Sequence, residues 1–353
     1  MDEPRLRGRR RLRILTWHVH GNYLYALSQV PHDFVVPTRP GDPPGYAGLG
    51  RGFPWGANIS EMPAQRVRDE AFDCVLFQSR AAFERDRHEL LAPAQLALPC
   101  AYLEHNPPEP HPTGTRHVFR HDRGVLVHVT HYNALMWDAG DTPVRVVEHG
   151  VVPAPGVAYD GSLARGIVVA NHLARRGRRI GADLFAWARE RVPLDLIGMD
   201  AGALGGLGEI PNMDVPAFVA RYRFFFSPVR YASLGLSAIE AMLAGVPVVG
   251  VAATELPAVI RNGVDGYVDT RPQRLVDCMR QLLADPALAR QWGEAARRMA
   301  RQRFGIGRFV EDWLDVFSLL VEDRLSGAPG LPDPGRAARA CAASRACGRR
   351  AVS

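Results

Sequence analysis

The chain of 353 residues contains no lysine, and all 43 of its basic side chains are arginine. A phosphorylase that uses pyridoxal phosphate holds the cofactor through a lysine Schiff base, so the sequence excludes that kind of enzyme. A guanidinium group stays protonated at every accessible pH and presents a planar set of donors that matches phosphate. The basic side chains therefore favour the binding of phosphate groups over proton transfer.

Long apolar runs and metal-binding patterns are also missing. No stretch of 18 apolar residues occurs, and no apolar core of a signal peptide follows the basic start, so we expect a cytoplasmic protein. The sequence has no HExxH motif and no CxxC pair, and we expect no bound metal. The five cysteines are Cys74, Cys100, Cys278, Cys341 and Cys347.

The net charge of +6 is concentrated at the two ends of the chain. Residues 1–13 and residues 327–353 each carry a net charge of +4, which leaves −2 on the residues between them. Domains that bind nucleic acids carry their positive charge on a folded face, so we expect no nucleic-acid partner. Weak contact of the two ends with an anionic membrane surface is an open alternative, and it would place the protein at the inner face of the membrane.

Short runs rich in β-branched and aromatic residues alternate with helical patterns along the chain. This alternation is typical of parallel, doubly wound α/β sheets. A stretch rich in proline and glycine, residues 152–162, divides the strands into two similar halves. A late amphipathic helix is expected at residues 309–321. The predicted strands are 14–18, 34–36, 74–77, 101–104, 125–130, 144–148, 167–170, 194–197, 224–226, 248–251 and 267–268.

Residues 227–267 carry the most specific pattern of the chain. A strand ends at Pro228, because proline cannot take part in a central ladder, and a helix opens near Ser233 and Gly235. The free N–H groups at such a helix start attract anions. Glu240 lies off the apolar stripe of this helix, one turn further on, where its carboxylate is placed to accept hydrogen bonds from ribose hydroxyls. The segment therefore predicts a nucleotide site.

The same segment resembles the nucleotide-sugar half of the retaining glycosyltransferases of family 4, which have the GT-B fold. The resemblance implies two Rossmann-like, doubly wound domains that face each other across a cleft, with a C-terminal helix that crosses back to the first domain. It assigns residues 1–155 to an acceptor-side domain, 156–305 to a donor domain and 306–326 to the crossover helix, and we expect 327–353 to be disordered. The residues that match the family pattern are Pro228, Arg230, Gly235, Leu236, Glu240, Ala241, Met242, Gly245, Pro247, Val248, Val249, Pro257, Asn262, Gly263 and Gly266.

The resemblance also implies roles for single residues. His105 would contact the donor sugar and Arg176 would bind the diphosphate, and these two are the expected catalytic residues. Asn171 stands where the family has an arginine, and it is still counted among the expected donor-binding residues. The other expected donor-binding residues are Gly21, Asn22, Glu209, Ile210, Ser233, Leu234, Gly235, Leu236, Glu240 and Glu255.

The family resemblance implies an enzyme, a hexosyltransferase-like glycosyltransferase. It would move a sugar from a nucleoside-diphosphate donor to an acceptor hydroxyl, with retention of configuration. The donor is a substrate, and no permanently bound cofactor is expected. The acceptor stays open between a glycan, a lipid and a small molecule.

The family pattern is broken where it faces the donor sugar. Ala232 and Ala258 stand in place of two glutamates, and Thr254 and Glu255 stand in place of two glycines. Three interpretations remain open: the donor sugar differs, Glu255 supplies the missing carboxylate, or catalysis is lost. The last interpretation predicts a different class of protein, a non-catalytic nucleotide-sugar-binding or scaffold protein of the same fold.

Overall fold

The structure, a computed structural model, describes residues 8–121 and 123–322. The first seven residues of the basic start and the expected tail at 327–353, with Cys341 and Cys347, lie outside the described residues. Within the described ranges, no helix has both the length and the apolar character needed to cross a bilayer.

The first domain is built on a parallel sheet of seven strands. These strands are β1 (Arg13–Thr16), β2 (Asp33–Thr38), β3 (Ile59–Pro63), β4 (Cys74–Phe77), β5 (Cys100–Glu104), β6 (Val125–His128) and β7 (Val144–Val146). Their order across the sheet is β3-β2-β1-β4-β5-β6-β7. The central strands are buried on both faces, which is why they appear in the sequence as continuous apolar runs. The helices of this domain are α1 (Gly21–Leu27), α2 (Arg87–Leu90), α3 (Pro93–Leu96) and α4 (His131–Met136).

The second domain has a parallel sheet of five strands. These strands are β8 (Leu163–Val169), β9 (Leu194–Ile197), β10 (Tyr222–Ser227), β11 (Val248–Val251) and β12 (Gly266–Asp269). Their order is β12-β11-β10-β8-β9. The helices that follow are α5 (Leu173–Arg176), α6 (Ala182–Arg189), α7 (Val215–Val219), α8 (Leu236–Ala244), α9 (Pro272–Ala284), α10 (Pro286–Arg303) and α11 (Ile306–Val321).

All eleven predicted strands occur, three with the predicted bounds (74–77, 194–197 and 248–251) and eight with shifted ends, and one further strand was not predicted. That strand is β3, at the edge of the first sheet, and the sequence analysis did not identify it. Only Ile59 and Met62 of its five residues are buried, so it has neither the continuous apolar run of a central strand nor a regular alternation. Pro63 ends it, and proline is tolerated at an edge because the missing N–H group breaks no central ladder.

Helix α11 crosses from the second domain to the core of the first. Phe309, Trp313 and Phe317 are fully buried there, and the indole of Trp313 donates a hydrogen bond to the hydroxyl oxygen of Tyr23 at 3.2 Å. The helix passes so close to Gly150 that a Cβ atom at that position would overlap the side chain of Phe309. The prediction of two Rossmann-like domains with a C-terminal helix that returns to the first domain is confirmed.

Candidate active site

The carboxyl ends of the two sheets face each other, and side chains from the two domains are hydrogen-bonded across the cleft. Asn22 Nδ2 donates to Glu240 Oε1 at 2.9 Å, and Asn133 Nδ2 donates to Ser233 Oγ at 2.6 Å. Each of these four residues lies in the segment that follows the carboxyl end of a strand. Open parallel sheets bind ligands at this edge, so the cleft between the domains is the candidate site.

The order of strands in the second sheet reverses between β8 and β10. The chain continues from β8 to β9 on one side and from β10 to β11 on the other. Such a switch point leaves a crevice between the two outgoing segments. Asn171 and Arg176 lie in the first segment, and Ser233 and Gly235 lie in the second. The fold thus brings two predicted parts of the donor site, distant in the sequence, to one edge of the sheet.

Helix α8 begins at this edge without a side-chain cap. Gly235 is its N-cap residue, with φ −71° and ψ 135°. The first N–H groups of the helix, at the positive end of its dipole, are therefore available to an anion. Leu236, the first helical residue, packs against the cores of both domains and so holds the start of the helix in the cleft.

Glu240 lies one turn into α8 and is half-buried. Burial raises the pKa of its carboxyl group to about 7, and the hydrogen bond from Asn22 opposes this shift. Once ionised, this carboxylate accepts hydrogen bonds from donors such as the Asn22 amide or a ribose hydroxyl.

We expect the protonation of Glu240 to appear in the pH dependence of stability. The pKa is higher in the folded protein than in an unfolded chain, so the contribution of this group to the free energy of unfolding is fully present below about pH 4.5. It is lost as the pH rises through about 7. Melting temperatures measured across this interval should fall less steeply for Glu240→Gln than for the wild type. Parallel curves for the two proteins would contradict the raised pKa.

Arg176 is the last residue of α5, and its side chain lines a cavity between the two domains. Its guanidinium group has no ion pair and no hydrogen bond to any residue that the structure describes. Two later arginines of the same loop differ, because Arg178 pairs with Asp183 at 2.7 Å and Arg179 pairs with Glu109. Arg175 is exposed and does not line the cavity. Arg176 is therefore available to an anionic ligand.

Three other predicted donor residues lie on loops at the same edge of the second sheet. Asn171 Oδ1 accepts a hydrogen bond from the backbone N–H of Met199 at 2.9 Å, so this side chain joins two loops. Glu209 is exposed, and Ile210 packs partly against the core of the second domain. Asn171 thus holds a loop at the place where the resembled family has an arginine.

His105 lies on the first-domain side of the cleft, directly after β5, and is buried. The amide nitrogen of Gln78 donates to Thr16 Oγ1 and to the carbonyl of Trp17, both at 2.9 Å, so the amide oxygen of Gln78 must accept. His105 Nε2 therefore carries a hydrogen and donates it to Gln78 Oε1 at 3.1 Å. Burial keeps the pKa of His105 well below its usual value, so the ring is neutral and Nδ1 is an acceptor.

Ser233 and Leu234 connect the two domains. The hydroxyl group of Ser233 donates to the carbonyl of His105 and accepts from Asn133 Nδ2. Leu234 is buried, and its backbone is hydrogen-bonded to the ring of His149, whose pKa is lowered to about 4 by burial. The Ser233 hydroxyl group thus joins the two domains through two hydrogen bonds.

Glu255 is buried, and both of its carboxylate oxygens have partners. Oε2 accepts a hydrogen bond from the backbone N–H of Tyr132 at 2.8 Å, and Oε1 accepts one from Arg303 Nη2 at 3.3 Å. Arg303 also pairs with Glu148 at 2.6 Å. These four residues form an interdomain clamp, and the Glu255 carboxylate is bound to protein partners within it.

At two positions near the cleft, packing or backbone conformation restricts which residue fits. A Cβ atom on Gly21, at the start of α1, would lie 2.8 Å from the ring of Phe53, so this loop packs too closely for a side chain. Thr254 has a φ of 52°, in the left-handed region that a β-branched residue rarely adopts. Thr254, which stands in place of a family glycine, thus has a backbone conformation that favours glycine.

Gln78 and Arg303 hold other site residues in place, and neither was predicted from the sequence. Gln78 is a buried polar residue directly after β4, and a polar residue at the carboxyl end of an apolar run is a signal that was available. Arg303 ends α10, among many exposed arginines, and no local pattern distinguishes it. In the described part of the chain, no group of three or more histidine, cysteine, aspartate or glutamate side chains could hold a metal ion.

Comparison with known proteins bears on this site directly. Residues 204–299, which contain α8 and the segment before it, match the family described as glycosyl transferases group 1. The chain is 28% identical over 222 residues to the lipopolysaccharide core biosynthesis mannosyltransferase LpcC of Rhizobium leguminosarum bv. viciae, an alignment that covers 53% of this chain and 62% of that protein. The chain therefore spans less than two thirds of the length of the curated relatives it matches.

Solved structures share the fold over most of the chain. Sucrose-phosphate synthase from Thermosynechococcus elongatus superposes with a TM-score of 0.65 at 16% identity, covering 89% of this chain and 100% of that one. The Anabaena protein Alr3699/HepE in complex with UDP-glucose superposes with a TM-score of 0.62 at 15% identity, covering 88% and 100%. The chain thus has the GT-B fold expected from its sequence.

Proposed function

We propose that this protein is a glycosyltransferase that moves a sugar from a nucleoside-diphosphate donor, held by the second domain, to an acceptor hydroxyl, with retention of configuration. The observation that carries the proposal is the placement of Arg176, which has no partner in the described residues, and of the uncapped start of α8 on the two segments that leave the switch point of the second sheet. The match of residues 204–299 to a glycosyltransferase family and the UDP-glucose held by the Anabaena protein of the same fold support it.

In the proposed reaction the bond between the anomeric carbon and the diphosphate breaks, and a bond to the acceptor oxygen forms on the same face of the sugar. The proton of the acceptor hydroxyl goes to the departing diphosphate. Arg176 and the first N–H groups of α8 bind the negative charge that develops on that group. Glu240 accepts hydrogen bonds from the ribose, exchanging the amide of Asn22 for a hydroxyl group. Orientation of the two substrates, more than any protein nucleophile, supplies the rate.

His105 is proposed to contact the donor sugar. Its Nδ1 accepts a hydrogen bond, since its Nε2 is held as a donor by Gln78. The carbonyl of His105 accepts a hydrogen bond from Ser233, three residues before the first residue of α8, so His105 lies near the start of that helix. A sugar hydroxyl that donates to Nδ1 would be held at the same time as the diphosphate.

The missing glutamate at Ala232 affects which donor sugar the site can bind. Glu255 is engaged in the interdomain clamp, which counts against the interpretation that it replaces the missing glutamate. A buried sugar hydroxyl without a partner would cost about 1–3 kcal/mol. We therefore favour a donor sugar that does not require a carboxylate at this position, with Ser233 and His105 as its polar neighbours.

The test of donor binding is a thermal-shift panel with UDP-, GDP-, ADP- and TDP-sugars. A ligand that binds only the folded protein raises its melting temperature, by an amount that corresponds to about 2.7 kcal/mol at a concentration of 100 Kd. We expect a shift with at least one nucleotide and a reduced shift in Glu240→Ala. No shift with any of the four would contradict the proposal.

The competing function is a non-catalytic nucleotide-sugar-binding or scaffold protein. The two differ in the slow hydrolysis of the donor, which an active transferase carries out when water replaces the acceptor. We expect release of free sugar above the rate of the uncatalysed reaction. Binding without any release would favour the scaffold instead.

A further inference from the structure

A cavity of about 390 Å³ adjoins the proposed donor site and has no assigned role. Its first-domain side is formed by Glu104, the last residue of β5, by Asn106 in the segment that follows, and by Trp137. Its second-domain side is formed by Arg176 and Arg179. Because Arg176 is the proposed diphosphate ligand, a molecule in this cavity would lie next to the departing group.

The first-domain side of the cavity is rigidly built. His117 Nε2 donates to Glu104 Oε2 at 3.1 Å, and the backbone N–H of Asn106 donates to Glu104 Oε1 at 2.8 Å. The indole of Trp137 donates to the carbonyl of Asn106 at 2.8 Å, and its ring stands edge-on to His117 at 4.8 Å. These contacts hold a carboxylate and an aromatic ring in fixed positions before any ligand enters.

The lining of the cavity carries excess positive charge. Four arginines and two glutamates face it, a formal charge of +2 with histidine neutral. Arg80 and Arg116 lie on the first-domain side, and their partners Glu84 and Asp138 are outside the cavity. Both ion pairs are exposed, with the arginine side chains 71% and 75% accessible. Exposed pairs contribute at most about 1 kcal/mol, so either arginine can exchange its partner for a ligand anion at little cost.

We propose that this cavity is the acceptor subsite and that the acceptor is a small hydroxyl-bearing molecule with an anionic group, a carboxylate or a phosphate. The anionic group binds Arg80 and Arg116, and the hydroxyl group points towards Arg176. The inference rests on the proposed function, because it identifies the substrate that receives the sugar. A neutral lipid would bring no negative charge to a lining whose formal charge is +2, which favours a charged acceptor.

The experiment measures binding of three small probes that share hydroxyl groups and differ in charge: glycerate, glycerol 3-phosphate and glycerol. The protein is first saturated with the nucleotide that gives a shift in the donor panel, so that the proposed diphosphate site is occupied. We expect further thermal shifts with one or both of the anionic probes and none with glycerol. A response to glycerate alone or to glycerol 3-phosphate alone supports the inference and identifies the anionic group.

Variants locate the bound anion. Arg80→Gln and Arg116→Gln should each weaken binding of the anionic probe at least about fivefold, because a charge-assisted, bidentate hydrogen bond is lost. Arg274→Gln, on the exposed face of α9, is the matched control and should leave binding unchanged. Nucleotide binding should be the same in all three variants.

Two outcomes overturn the inference and leave the proposed function standing: no shift with either anion while the nucleotide is bound, or a shift that Arg80→Gln and Arg116→Gln do not reduce. Failure of the proposed function is visible separately, since the wild-type protein would then bind no nucleotide sugar in the first step.

Discussion

Replacing Arg176 with alanine should lower the turnover of the active donor by about 100-fold. The side chain has no partner among the described residues and lines the cavity between the domains, and it would bind the charge that develops on the leaving diphosphate. Removal of one group that stabilises a developing oxyanion costs about 10²–10³ in kcat in other enzymes. Product formation is to be measured at saturating donor, so that the loss is seen in kcat and not only in KM.

The matched control is Arg175→Ala, the neighbouring exposed arginine on the same short helix. It removes the same charge from the same loop, but Arg175 does not line the cavity that Arg176 lines, so turnover should change by less than about threefold. Equal losses in the two variants would show that the loop acts only through its net charge. Unchanged turnover in Arg176→Ala would remove this residue from the site.

Trp313→Ala should lower the free energy of unfolding by about 3–5 kcal/mol. The indole is fully buried between α11 and the first domain, stacked on Phe317 at 5.1 Å, and its removal leaves a large cavity. The hydroxyl group of Tyr23 also loses the hydrogen bond that Trp313 donates. Urea unfolding followed by fluorescence and circular dichroism measures the change.

Trp313→Ala should also affect the donor site, because Trp313 contacts Tyr23 and Tyr23 contacts His105. The Tyr23 ring stands edge-on to His105 at 4.9 Å and to His149 at 5.7 Å. We therefore expect weaker donor binding in Trp313→Ala at temperatures where the variant is still folded. Asp315→Ala, on the exposed face of the same helix, loses only an ion pair with Arg9 and should cost less than about 1 kcal/mol. Equal losses of stability in the two variants would contradict the packing of α11 described above.

The fold could be predicted from local patterns because its strands are buried on both faces. A strand such as β4 or β10 is a continuous apolar run in the sequence, and such runs separated by helices indicate parallel sheets whatever the details of packing. Edge strand β3 escaped prediction for the opposite reason, since an edge is only partly buried and its residues Ser60 and Glu61 are exposed.

The donor side of the site could also be predicted from local sequence patterns. Gly235 and Glu240 lie on one helix, and their spacing of about one turn is a property of the helix itself. Arg176 could be placed because the segment after a parallel strand must reach the ligand edge of the sheet. The roles assigned to these residues stay predictions until donor binding is measured.

Glu255 shows where local reasoning ends. In the sequence, Glu255 is a candidate to replace the glutamate that is missing at Ala232. No residue close to it in the sequence indicates which side chains it will contact. In the structure its partners are Tyr132 and Arg303, which are 123 and 48 residues away. The tautomer of His105 is a similar case, since it depends on Gln78 from another strand end.

By itself, the sequence determined the two-domain α/β fold, the edge of the second sheet at which a nucleotide would bind, and the absence of lysine chemistry. Each of these follows from contacts within one strand, one helix or one turn, or from composition alone. Only the tertiary structure decided that Glu255 is held in a clamp, that Arg176 is unpaired among the described residues, and that a positively charged cavity lies beside it. These features depend on side chains from both domains meeting across a cleft, and the distance between such residues along the chain says nothing about whether they will meet.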